Sequence, residues 1–154
     1  LVLLCCWHSM VYGHRLELMD PFGYRPDAAC DDAGIIVNPA IVDGQVHGGV
    51  GGGVSQALME EFVYDEWGNP QTGNFMDYAI PAASEFPSFD RIAMETPTDR
   101  NPLGVKGIGE AGTIGSTPAV QNAVVDALKN LGVRHVDIPV KPMRVWRVIR
   151  EASQ

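Results

Sequence analysis

Residues 46–58 combine two demands that few structures satisfy together. Val46, Val50, Val54, Leu58 and then Phe62 recur every four positions, the spacing of one face of an amphipathic helix, and predict a helix from about Asp43 to Tyr64, regular from about Gln45. Yet Gly48, Gly49, Gly51, Gly52 and Gly53 fill five of the six positions 48–53, and each glycine costs a helix interior roughly 1 kcal/mol against alanine. A flexible linker would account for glycine alone, but such linkers carry serine and lack periodic valines. The favoured reading is close approach: a neighbouring backbone or a bound cofactor lies where a Cβ would otherwise sit.

A second glycine-rich stretch, Gly104-Val105-Lys106-Gly107-Ile108-Gly109-Glu110-Ala111-Gly112-Thr113-Ile114-Gly115, holds five glycines in twelve residues and only two charges, Lys106 and Glu110. Glycines flanking a carboxylate let the main chain approach a guest closely and leave its N–H groups free to point at one. A carboxylate among glycines and aliphatic residues is expected to be poorly hydrated, which makes it a better proton acceptor at neutral pH. A phosphate cradle would need the GxxxxGK[ST] order, and here Lys106 precedes Gly107 while Glu110 would repel phosphate. From the pattern alone, a functional base and a surface turn acid remain equally open for Glu110.

The rest of the chain reads as a mixed α/β (α+β) domain in which helices pack on a small mixed sheet. Ile35-Ile36-Val37, between Asp31-Asp32-Ala33-Gly34 and Asn38-Pro39, is read as a short strand entered from an acidic turn and ended before proline. Asp65 to Pro70 is a polar turn, Thr72 to Pro81 an extended segment with aromatic anchors, and Ser84 to Pro87 a loop. Phe89 to Glu95 alternates, with Ile92 and Met94 offering an apolar face, as a half-buried strand does. A helix is predicted over Pro118–Leu131, capped by Ser116 or Thr117 and stopped by Gly132, with Val120, Ala123, Val124, Ala127, Leu128 and Leu131 in its apolar stripe. A last helix opens at Pro142 and covers Val145, Val148 and Ile149. Residues 1–23 show neither alternation nor helical period and are set apart as a poorly matching N-terminal segment from the domain at 24–154; His8 and His14, six apart, lack the spacing of a helical metal pair.

A net charge of −8 and a pI near 4.8 exclude a nucleic-acid footprint and disfavour an anionic membrane surface. A small-molecule substrate suits such a chain better. The three cysteines, Cys5, Cys6 and Cys30, have neither zinc-site spacing nor an even disulfide count, so a reducing, cytoplasmic setting is expected. The chain begins with Leu1 and its apolar run to Trp7 is too short to span a bilayer, which reads as a fragment boundary and no membrane span.

Lys106-Gly107-Ile108-Gly109-Glu110, with Thr113-Ile114-Gly115-Ser116-Thr117-Pro118-Ala119-Val120 and Asn122-Ala123-Val124, resembles the C-terminal part of the large, molybdopterin-binding subunit of the molybdenum hydroxylases, the family of xanthine dehydrogenase, aldehyde oxidase and aerobic carbon monoxide dehydrogenase. Further blocks agree in order: Asn38-Pro39 with Gly44-Gln45-Val46-His47-Gly48-Gly49, Glu60-Glu61, Phe75-Met76-Asp77-Tyr78 and Ile80-Pro81. The resemblance covers roughly Arg25 to the end.

It implies a molybdenum-dependent oxidoreductase that oxidises an aldehyde, an N-heterocycle or carbon monoxide with water as oxygen source. Glu110 matches the family's general base beside the molybdenum; Gln45 and Gly109 match contacts to the pterin, and Lys106 and Gly107 would line the same wall. No residue here is implied as a metal ligand. The implied cofactor is molybdopterin, in bacteria usually the cytosine dinucleotide form. Electrons would leave through 2Fe-2S clusters to FAD, held by an iron–sulfur subunit and a FAD-binding subunit or equivalent domains. The family's large subunit is several times longer and carries its other cofactor loops ahead of this region, so the fragment alone is expected to be inactive. The alternative is a non-catalytic remnant or assembly module that keeps the packing helices.

Overall fold

A computed structural model describes residues 2–6, 9–13, 27–86 and 89–153 of the chain. Four strands, β1 (Val2–Cys6), β2 (Ser9–Gly13), β3 (Asp27–Asp32) and β4 (Phe89–Met94), form one sheet in the order β1-β2-β3-β4. The first three run antiparallel to their neighbours, whereas β3 and β4 pair in parallel with Cys30 opposite Ile92 and Asp32 opposite Met94. The sheet is thus mixed, as expected. Two of its strands fall within residues 1–23, where no period was legible. Residues 14–23, with His14, and also His8 lie outside the described residues.

The strand read at Ile35–Val37 is instead β3, and it ends at Asp32. Asp31 and Asp32 belong to the ladder and are buried. The chain turns at Gly34, whose φ is +64°, leaving Ile35 and Val37 in an exposed connection.

Helix α1 spans Pro39–Leu58, starting about one turn earlier and ending nearly two turns earlier than the Asp43–Tyr64 span the valine period suggests. Asn38 accepts a bond from Ile41 N at 3.2 Å and Pro39 occupies the first turn, the cap-and-proline start that was read as a strand end. Helix α2 spans Ala111–Leu128 with Glu110 at its N-cap. It therefore begins seven residues before Pro118, which sits inside it. The expected Ser116 or Thr117 cap is absent; both hydroxyls bond back to carbonyls one turn earlier, Ser116 to Gly112 at 2.7 Å and Thr117 to Thr113 at 3.1 Å. A short 3-10 turn, Lys129–Leu131, ends at Gly132 with φ +84°, the predicted stop.

The glycine run finds its reason in the contact between α1 and α2. A Cβ on Gly49 would lie 3.1 Å from Gly112 Cα, and one on Gly53 would lie 2.9 Å from the Thr113 carbonyl oxygen and overlap Ser116 Oγ. Across this seam the Thr113 hydroxyl donates to the Gly49 carbonyl at 3.0 Å and Thr117 to Gly53 at 3.3 Å. Close approach of a backbone, one of the two reasons expected, holds for Gly49 and Gly53. Gly48 meets nothing within 4 Å.

Helix α3 (Pro142–Ala152) opens where expected. Val145 and Val148 pack on a cluster of Val124, Val133, Val136 and Val140, joined by Leu58 and Leu128. Glu61, just beyond α1, accepts from Lys141 at 2.6 Å and Arg144 at 3.1 Å, tying α3 to that core. One packing expectation is reversed: on the edge strand β4, Ile92 and Met94 are 46% and 41% exposed, while Arg91 is drawn into an ion pair with Asp43 of α1. Among Thr72–Pro81, Tyr78 anchors as expected, donating to Glu60 at 2.6 Å, but Phe75 and Met76 are 91% and 96% exposed.

Candidate functional site

The segment from Thr96 to Glu110 has no regular structure, and two side chains set its shape. Asn101 closes it from within: its Oδ1 accepts from the amides of Leu103 at 3.1 Å and Val105 at 3.2 Å, and its Nδ2 donates to the Val105 carbonyl at 2.9 Å. Asp32, at the end of β3, holds it from outside. Its Oδ1 accepts from the amides of Gly34 at 2.8 Å and Thr96 at 3.1 Å, and its Oδ2 from the Thr96 hydroxyl and from Lys106 Nζ at 2.9 Å. Burial pushes the Asp32 carboxyl up, but the Lys106 ammonium and the Gly34 and Thr96 amides outweigh it and hold the carboxyl below its ordinary value. The main chain adds Lys106 N to Ala33 O at 2.8 Å and Ile35 N to Gly104 O at 3.1 Å. Gly34 and Gly104 both sit in the left-handed region, and a side chain on Gly34 would run into the Gly104 carbonyl, so this crossing requires glycine on the β3 side.

The loop delivers Glu110 to the start of α2, and the α1–α2 seam brings Gln45 beside it. A Cβ on Gly109 would stand 3.5 Å from Gln45 Oε1. No described residue hydrogen-bonds the Gln45 amide, and Gln45, Gly107, Gly109 and Glu110 are all exposed. These four sequence-selected residues therefore share one open edge. The fifth, Lys106, turns its ammonium inward to Asp32 and to Thr96 Oγ1 at 2.8 Å. The poor hydration expected of Glu110 does not come from this chain: the flanking glycines leave its carboxylate in water.

A second concavity, a cavity of about 670 Å³, opens along the other side of α1 between His47, Gly48, Gly51, Ser55, Glu60 and Phe86. Glu60 accepts from both the Ser55 hydroxyl and Tyr78 Oη. The bond to Glu60, partial burial and the adjacent charge push the Tyr78 phenol up. Neither Asp32 nor Asn101 was singled out from sequence. The available signal was Asp32 two residues before Gly34 and Asn101 two before Leu103, each the start of a side-chain-to-backbone turn.

Among the described residues no cluster of three or more His, Cys, Asp or Glu side chains is placed to hold a metal ion. Cys30 is buried; the side chains of Cys5 and Cys6 lie outside the description. No described helix is long and apolar enough to cross a membrane.

Comparison with known proteins places this geometry among relatives. Residues 27–87 match the molybdopterin cofactor-binding domain. The chain is 39% identical over 123 residues to the carbon monoxide dehydrogenase large chain of Hydrogenophaga pseudoflava, a match covering 80% of the chain. It is 42% identical over 120 residues to the nicotine 6-hydroxylase large subunit of Paenarthrobacter nicotinovorans, covering 78%. In each case the chain spans only 15% of the relative's length. Among solved structures, a Cu,Mo-CO dehydrogenase superposes with a TM-score of 0.78 at 38% identity, covering 83% of this chain and 16% of that one. Quinoline 2-oxidoreductase from Pseudomonas putida 86 gives a TM-score of 0.78 at 36% identity over 93% of this chain and 18% of that one.

Proposed function

The chain belongs to the molybdenum hydroxylase family, matching part of its large, molybdopterin-binding subunit, and from that premise we propose that it is the C-terminal cofactor-binding portion of such a subunit, with Glu110 as general base. The reaction is the oxidation of an aldehyde, an N-heterocycle or carbon monoxide with water as oxygen source. The observation that carries this reading is the edge itself: Gln45 of α1 lies against Gly109, immediately before Glu110, though Gln45 and Glu110 are 65 residues apart in sequence.

The residues present fit the cofactor. Gln45 offers a free amide that can both donate to and accept from a polar heterocycle. Gly109 keeps the wall flat beside that amide, where a Cβ would come into ordinary contact with it at 3.5 Å, and Gly107 leaves main chain open next to it. Lys106 lines the wall by its main chain. When bound, the molybdenum cofactor, in the cytosine dinucleotide form, supplies the two-electron acceptor. Glu110 accepts a proton on its carboxylate oxygen so that the oxygen nucleophile can attack, and releases it to water after turnover. Iron–sulfur and FAD-binding subunits take the electrons onward.

Glu110→Gln in the complete complex tests the assignment. The amide is nearly isosteric, so molybdenum and pterin content should stay at the wild-type level, while single-turnover reduction by substrate falls by a factor of about 10² to 10⁴, the usual contribution of a positioned base. Near wild-type reduction would make Glu110 a turn residue.

A further inference from the structure

Glu110 is held on one side by α2, whose first residue follows it directly. On the other side, Gly107 and Gly109 have no side chain with which to grip the fold, and the nearest side chain held by a hydrogen bond is Lys106. That anchor ends on Asp32. We propose that Asp32 is a positioning residue for the reaction: through Lys106 and Thr96 it fixes the loop that delivers Glu110, a role that rests on the reading of Glu110 as the base.

Three features support this. Asp32 is buried, and its two oxygens are occupied by its own turn and by the Thr96–Lys106 loop. It stands on β3, which is bonded to strands on both sides, so the anchor is on rigid ground. Of the loop's two cations, Arg100 and Lys106, the one next to the glycine motif, Lys106, is committed to Asp32 and Thr96 Oγ1 and is partly buried, rather than facing the open edge with Gln45 and Glu110. An ion pair that served stability alone would have no reason to select this loop, and the experiment separates the two roles.

In the complete complex, Asp32→Asn removes the charge while keeping the shape. Peptide-level hydrogen–deuterium exchange, read on the apo as well as the loaded complex, should show faster uptake across residues 104–112 and unchanged uptake across 119–128. Molybdenum and pterin content should hold. The single-turnover rate should fall about ten- to a hundredfold, as small misplacements of a catalytic group do, with KM unchanged. In a Glu110→Gln background the same substitution should add no further loss. Lys106→Gln breaks the pair from the loop side and should reproduce each result if Asp32→Asn fails to assemble. Unchanged uptake at 104–112 in both variants would overturn the proposal; so would a loosened loop with wild-type turnover, or a loss of equal size with and without Glu110. Those outcomes leave the Glu110→Gln defect intact, whereas wild-type turnover by Glu110→Gln alone refutes the base reading.

Discussion

Replacing Gly112 by alanine tests the α1–α2 seam where main chain meets main chain most closely. The new methyl would stand 2.8 Å from Val50 N, 2.9 Å from the Val46 carbonyl oxygen and 3.0 Å from Gly49 C. All three are main-chain atoms, so no rotamer change can relieve the contact. The helices must separate, and separation stretches the Thr113–Gly49 and Thr117–Gly53 bonds, now 3.0 and 3.3 Å. Overpacking of this kind costs about 1–3 kcal/mol, against roughly 1 kcal/mol regained from alanine's helix propensity. The net expectation is a loss of up to about 2 kcal/mol. Gly48→Ala is the matched control: the same propensity gain, with nothing within 4 Å of the new methyl, so stability should rise by about 0.5–1 kcal/mol. Equilibrium urea unfolding of the chain, followed by far-ultraviolet circular dichroism, should therefore move the two midpoints in opposite directions at a common slope. Equal midpoints for the two variants would refute the close contact and with it the reason given for the glycine run.

Two further outcomes are expected. Gln45→Ala in the complete subunit should lower molybdopterin retention, since it leaves a polar ligand unpaired at a cost of roughly 1–3 kcal/mol; unchanged molybdenum and pterin content would count against Gln45 as a contact. Glu61 should make stability fall on the acid side. Its bond to Lys141, against a smaller opposing push from burial, and the charges of Lys141 and Arg144 hold its carboxyl below the ordinary 4.5. The contribution is therefore full above that value and is lost as pH drops through the lower folded one. As the pairs are partly exposed, about 0.5–1 kcal/mol is expected. Glu61→Gln should flatten this part of the urea-midpoint profile, and an unaltered profile would show that the pairs contribute nothing.

What was legible in the sequence was local. The polar turn at Asp65–Pro70 carries its own instructions, since Asp65 Oδ1 accepts from the amides of Trp67 and Asn69 at 2.9 and 2.8 Å. Gly132 stops a helix by its own left-handed φ, and α3 opens at its own proline. The glycine run announced a close approach because glycines among periodic valines carry a local cost that only a neighbour can offset. The start of α2 was misread for a different reason. Pro118 is a local signal for a first turn, but contact with α1 recruits seven residues ahead of it, including Gly112 and Gly115. Asp31 and Asp32 look like a surface turn until β4 pairs alongside and Lys106 reaches Asp32 from 74 positions away.

The candidate site inherits this division. Its motif is contiguous, so the resemblance could be drawn from residues 106–110 and the short blocks that agree with it in order, but its geometry is set by two long-range contacts that no short window contains. The α1–α2 seam puts Gln45 against Gly109 and so decides how far Glu110 stands from the amide. The Asp32–Lys106 pair holds the loop that leads into α2, and on the proposed reading that hold sets how Glu110 is presented. The two act on the same group from opposite sides and share no side chain. A methyl on Gly112 and the loss of charge at Asp32 should therefore displace Glu110 by separate routes, the first by moving the helix and the second by loosening the loop. Alanine at 112 should leave the Thr96–Lys106 bonds to Asp32 intact, and asparagine at 32 should leave the threonine bonds across the helix seam intact. Glu110 itself is exposed, so neither contact buries the carboxylate, and each bears only on where it stands.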